Sequence, residues 1–76
     1  MKQIKPTRLR RIASNEVITP EGQSLIQYVV ELWDGYVERY FPLQQEMSNT
    51  EWMQGQIILK KDTKGIRAYY KGISIT

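Results

Sequence analysis

The chain contains no cysteine and no histidine in 76 residues. Without cysteine no disulfide can form, and with histidine also missing the usual ligands of a structural zinc are gone. The same two absences remove the commonest general base, the nucleophile dyads and triads built on histidine, and the usual transition-metal sites. The five glycines are isolated from one another, so none of them builds a pyrophosphate-cradling loop. No carboxylate cluster has the spacing of a calcium loop. No apolar run approaches the length of a membrane span. The basic N-terminal stretch "MKQIKPTRLRRIA" lacks the apolar segment and small-residue cleavage site of a secretory signal, so the chain is expected to be cytoplasmic. These exclusions lead to the expectation of a protein that is not an enzyme acting alone and that uses no cofactor and no metal.

What is present is the material of one small globular domain spanning residues 1–76, with residues 1–7 as a flexible basic N-terminus. The hydrophobic fraction of 41% and charged fraction of 25% suit a soluble fold and are too apolar for a disordered chain. A domain of this size buries only about 60% of the surface of its unfolded chain, so burial must stabilise it, with self-association as a possible supplement. Charge is unevenly placed. Residues 1–15 carry five cations and no acid, and residues 16–51 carry seven acids against Arg39. Residues 52–76 return to basic with Lys60, Lys61, Lys64, Arg67 and Lys71 against Asp62. Such an order lets both basic ends pair with the acidic middle.

Turn residues recur throughout: Pro20-Glu21-Gly22, Asp34-Gly35, Ser48-Asn49, Gly55, Asp62 to Gly65 and Gly72 punctuate short runs of Val, Ile, Tyr and Thr. This predicts an all-β fold, a small antiparallel sheet built from hairpins and folded into a sandwich or partly open barrel, with at most one short helical turn. The plainest hairpin is "YVVELWDGYVERYFPL", where Asp34-Gly35 suits a tight loop with positive φ at both positions. Its register pairs Leu32 with Val37, Val30 with Arg39, Tyr28 with Phe41 and Ile26 with Leu43, an apolar face broken only by Arg39. The opposite face sets Trp33 against Tyr36, Glu31 against Glu38 and Val29 against Tyr40. Two facing glutamates repel, and a cation from a third strand would be needed between them. They are also the one carboxylate pair brought together, but a shallow sheet face does not supply the desolvation that acid–base catalysis needs.

Upstream, "RLRRIASNEVIT" reads as one strand or two short ones broken near Ser14-Asn15. Downstream, "GQIILKK" and "IRAYYKGISI" form a second hairpin through "DTKG", with Ile66, Ala68 and Tyr70 on one side and Arg67, Tyr69 and Lys71 on the other. Gly72 is expected to mark a bulge. The segment "PLQQEMSNTEWMQG" reads as a loop laying Met47 and Trp52 across the open end of the sheet.

Two binding surfaces follow from this pattern. Trp33, Tyr36 and Tyr40 on the outer hairpin face are residue types that interfaces favour, and equally plain strand formers, so a protein partner or a second copy of the chain is the first expectation. Arg67, Tyr69 and Lys71 could stack bases and neutralise phosphates, making a nucleic-acid binder the alternative. The simpler account of those three is an amphipathic strand whose cations answer the acidic middle of the chain.

The stretch "RRIASNEVITPEGQSLIQYVVELWDGYVERYFPL", with the later "TEWMQGQIIL", resembles the start of amidohydrolase-superfamily proteins, where such strands form a small β-sandwich flanking the catalytic barrel. The resemblance implies a β accessory architecture without the hydrolase site. In that family a metal-binding His-x-His follows the last of these strands, whereas this chain continues "KKDTKGIRAYYKG", so no functional residue carries over.

Overall fold

The structure, a computed structural model, describes residues 9–45 and 47–76. The basic segment 1–7 and Glu46 lie outside the described residues. Six strands follow one another along the chain: β1 (Leu9–Ile18), β2 (Ser24–Trp33), β3 (Tyr36–Pro42), β4 (Glu51–Lys61), β5 (Ile66–Tyr70) and β6 (Ile73–Ser74). The fold is all-β, and no helix among the described residues is long and apolar enough to cross a membrane.

The strands make one sheet in the order β3-β2-β1-β4-β5-β6, curled into a partly open barrel. Every neighbouring pair is antiparallel except β1 and β4, which run parallel at the centre. The sheet is therefore mixed where the sequence predicted antiparallel pairing throughout. The reason is topological: β4 returns to the far side of β1 after the whole β2–β3 hairpin, and a strand arriving through that connection lies in the same direction as β1.

Both expected hairpins are present. Asp34 (φ 55°) and Gly35 (φ 86°) form the tight loop between β2 and β3 with Trp33 opposite Tyr36 and Leu32 opposite Val37. Beyond those two pairs the register shifts. Glu38 is an extra residue in β3, so Glu31 faces Arg39, Val30 faces Tyr40, Val29 faces Phe41 and Tyr28 faces Pro42. This bulge separates the two glutamates that the uninterrupted register would have opposed, and it moves Arg39 off the core side. Gly72 is not a bulge. It forms a second tight loop with Lys71, both at positive φ (83° and 53°), which takes Lys71 out of the strand and off the face shared by Arg67 and Tyr69.

The sheet corners along a line of irregularities through β2, β1 and β4. Gln27 adopts φ 55°, the β1–β4 register shifts between Ser14 and Glu16, and Gly55 adopts φ 114°. Buried Ser14 donates its hydroxyl to the Gly55 carbonyl at 2.9 Å, and the Gly55 N–H donates to Asn15 Oδ1 at 2.7 Å. These side chains take up backbone groups that the bent ladder leaves without strand partners. β1 thus remains one strand, bent at the Ser14-Asn15 position where the sequence suggested a break.

Inside the curl lies the core: Ile12, Val17, Val30, Leu32, Ile57, Leu59, Ala68 and Ile75. Tyr28, Tyr40, Ile66 and Tyr70 pack around it. Across the opening, β3 and β5 approach through Tyr36, whose ring carries the Arg67 guanidinium 4.8 Å from its centroid. A Cβ on Gly65 would come within 3.3 Å of the same ring, so bare backbone is what admits it. Arg10 closes the neighbouring end. It grips Glu51 through two hydrogen bonds (3.0 and 2.7 Å) and donates to the Thr76 carbonyl at 2.7 Å.

Candidate interaction surface

Pairing in β3, β2 and β1 sets three rungs of side chains across the outer face. Tyr36, Trp33 and Leu9 form the first; Arg39, Glu31 and Arg11 the second; Phe41, Val29 and Ala13 the third, which Trp52 of β4 extends. Residues 43–45 and 47–50 cover the third rung. Val29 and Ala13 are buried although they stand outside the core cluster, and Ala13 shares a cavity with Leu43, Met47 and Trp52. Met47 and Trp52 accordingly lie on the outer face and not across the open end of the sheet.

Between that loop and Trp33 runs a groove whose floor is the second rung. Glu31 is only 5% exposed, yet it is ionisable and central. Each carboxylate oxygen accepts from a different arginine: Oε1 from Arg39 Nε at 2.6 Å and Oε2 from Arg11 Nε at 2.7 Å. The bond from Arg39 is the chief reason that the Glu31 carboxyl is held below the usual carboxylate range; burial opposes it and the bond from Arg11 reinforces it. Arg11 also donates Nη1 to the Ser48 carbonyl at 3.3 Å, tying the clamp to the covering loop. Arg39 lies over the Phe41 ring, 5.0 Å from its centroid, while its side chain stays 67% exposed.

The candidate residues from the sequence are therefore scattered. Trp33 stands at the lip of the groove, 49% exposed. Tyr36 is beside it on the first rung, but its ring serves the β3–β5 seam. Tyr40 does not share the outer face: after the Glu38 bulge it pairs with Val30 and packs on the core, 6.4 Å from the Tyr28 ring. Arg67 is stacked on Tyr36, and Tyr69 lies beneath Lys60 Nζ at 5.4 Å. Lys71 sits in the terminal turn over Tyr70 at 5.5 Å.

The charges pair differently at the two ends. Arg10 and Arg11 do answer the acidic middle, at Glu51 and Glu31. Among the described residues, Lys60, Lys61, Lys64, Arg67 and Lys71 form no ion pair with a carboxylate. Asp62, the acid among them, instead accepts the Lys64 and Gly65 backbone N–H groups of its own turn, and these bonds lower its pKa, the one from Lys64 most.

Sequence reasoning missed the clamp because it placed Arg39 on the core side. The available signal was the pair of misfits in that register, one cation on an apolar face and two facing glutamates, which a single inserted residue removes together. Among the described residues no group of three or more His, Cys, Asp or Glu is placed to hold a metal. No protein-family model matches this chain, and no match is found among curated proteins or solved structures.

Proposed function

We propose that this chain is a non-catalytic protein-interaction domain whose contact surface is the outer face of β1, β2 and β3. One observation carries the reading: a half-exposed tryptophan, Trp33, at the lip of a groove floored by a guanidinium that two neighbours hold in place. Trp and Arg are the side chains whose burial most often dominates binding energy at interfaces, and Tyr36 extends the same rung. The free edge of β3 is a poorer contact, since the Glu38 bulge and Pro42 interrupt it as natural edges are interrupted against strand addition. Kinship with the amidohydrolase β accessory domain would fit a domain that contacts other protein and performs no chemistry.

Trp33→Ser tests this reading. The side chain projects outward, so the far-UV spectrum and Tm are expected to stay close to those of the parent. Retention of nuclease-resistant partners from host lysate is expected to fall at least about tenfold, the loss of one interface anchor. Full retention by the variant would count decisively against the reading. A second copy as occupant would show instead as a concentration-dependent sedimentation coefficient that Trp33→Ser abolishes.

The alternative, binding of nucleic acid, draws support from the cations of residues 60–71, which among the described residues form no ion pair with a carboxylate, with Lys60 opposite Arg67 and over the Tyr69 ring on the outer face of β4 and β5. It requires an affinity that falls steeply with salt and collapses in Lys60→Glu with Arg67→Glu. Binding that is indifferent to salt between 50 and 200 mM would rule it out.

A further inference from the structure

The clamp of Arg11, Glu31 and Arg39 is not accounted for by stability. A buried carboxylate held by arginines is often matched or bettered by an apolar residue of similar volume, because desolvating the charge offsets its attraction to them. A valine in place of Glu31 on a rung between Trp33 and Val29 would suit the sheet. One arginine would also suffice to neutralise one carboxylate, yet two converge on it; with Glu38 lining the same groove, the surplus positive charge lies at the clamp itself and not along the groove.

The two guanidiniums engage Glu31 through Nε alone. That leaves the paired Nη ends, the part of the group that receives a carboxylate in a fork, directed to other uses. In Arg11 one Nη goes to the Ser48 carbonyl. In Arg39 neither Nη has a partner among the described residues, although Nε is fixed by Glu31 and the plane lies over Phe41. An exposed arginine is ordinarily mobile, and ordering it on binding costs affinity. Here the ordering is already done in the free protein.

We infer that Arg39, organised by Glu31 and Phe41, is the carboxylate-recognition point of the outer face, and that the partner presents an acidic peptide segment whose Asp or Glu side chain forks onto the free Nη atoms. This rests on the proposal that the Trp33 face is the contact surface. Apolar neighbours of the acidic residue would reach Trp33 on one side of the clamp and Met47 on the other, both of which line the groove.

The test is an NMR titration of the full chain, following the arginine Nε–Hε signals and the Trp33 indole. The probes are the capped peptide Gly-Asp-Leu-Asp-Gly, its counterpart with Asn for each Asp, and a thymidine octanucleotide. The acidic peptide is expected to move the Arg39 signal saturably and to bind about tenfold more tightly than the Asn peptide, the advantage of a charge-assisted fork over a neutral contact. Arg39→Gln, at a site exposed enough to leave the fold intact by circular dichroism, is expected to remove that advantage. Equal affinity for the two peptides, an unmoved Arg39 signal, or an unchanged preference in Arg39→Gln would overturn the inference. So would tighter engagement of the clamp by the oligonucleotide. Movement of the Trp33 indole alone would reject the clamp while leaving the contact surface standing, whereas failure of that surface is read separately from Trp33→Ser.

Discussion

Glu31→Ala is expected to lower Tm by roughly 10 °C. The substitution strands Arg11 against a buried rung with no carboxylate to meet it, and removing one member of a buried ion pair costs about 3–5 kcal/mol when both partners are deeply buried. Arg39 is mostly in water, so its share of that cost is small, and about 2 kcal/mol remains for the desolvated Arg11 side. In a domain of this length each kcal/mol moves Tm by about 4–8 °C. Glu31→Val, made together with Arg11→Met, is expected to restore most of the loss, since it removes the charge and its desolvation cost at once. Thermal melts of the three proteins check both statements. If Glu31→Ala melted with the parent, the clamp would have no hold on the fold.

The same carboxylate sets a direction for pH dependence. Glu31 is depressed in the folded chain relative to an unfolded value of about 4.3, so it binds protons less readily folded than unfolded. Its contribution is therefore fully present above that unfolded value and drains away as pH falls through the folded one. Glu51, lowered chiefly by its hydrogen bond from Arg10, acts in the same sense. Melting temperature is expected to fall below about pH 4.5, less so in the paired Glu31→Val and Arg11→Met protein.

Leu32→Ala is expected to remove a third or more of the stability of the fold. Leu32 has no exposed surface, stands opposite Val37 in the β2–β3 register and belongs to the core cluster. Truncating a buried leucine costs about 2–5 kcal/mol through lost transfer energy and the cavity that remains. A chain of 76 residues holds only about 4–11 kcal/mol in all. Urea denaturation should show a midpoint displaced by a third or more with little change in slope, and a shift of only a few tenths molar would place the core elsewhere.

Local chemistry wrote the turns legibly. Asp34-Gly35 announced its loop because those two residue types tolerate positive φ, and the alternation of Ile66, Ala68 and Tyr70 announced the inward face of β5. Pairing partners left weaker traces. Nothing in the composition of β1 says that its second neighbour is β4 and runs parallel, because that choice is made by the whole sheet. Faces were read correctly only as far as the first bulge. One added residue at Glu38 exchanged the roles of Arg39 and Tyr40, sending the cation to Glu31 and the ring to the core. The candidate surface was thus half visible: Trp33 could be found by eye, and the clamp beside it could not.

The parallel pairing of β1 with β4 also fixes an order of events as the chain leaves the ribosome. β1, β2 and β3 emerge as a meander whose pairings are local and quick to close. The other edge of β1 must then wait until residues 51–58 have been made, because its partner there is β4. At roughly 5–20 residues per second the delay is on the order of a second, long against hairpin formation. Through that interval the half-built sheet presents Ile12 and Val17 along an open edge, which makes the central strand of the finished domain its most vulnerable part during birth.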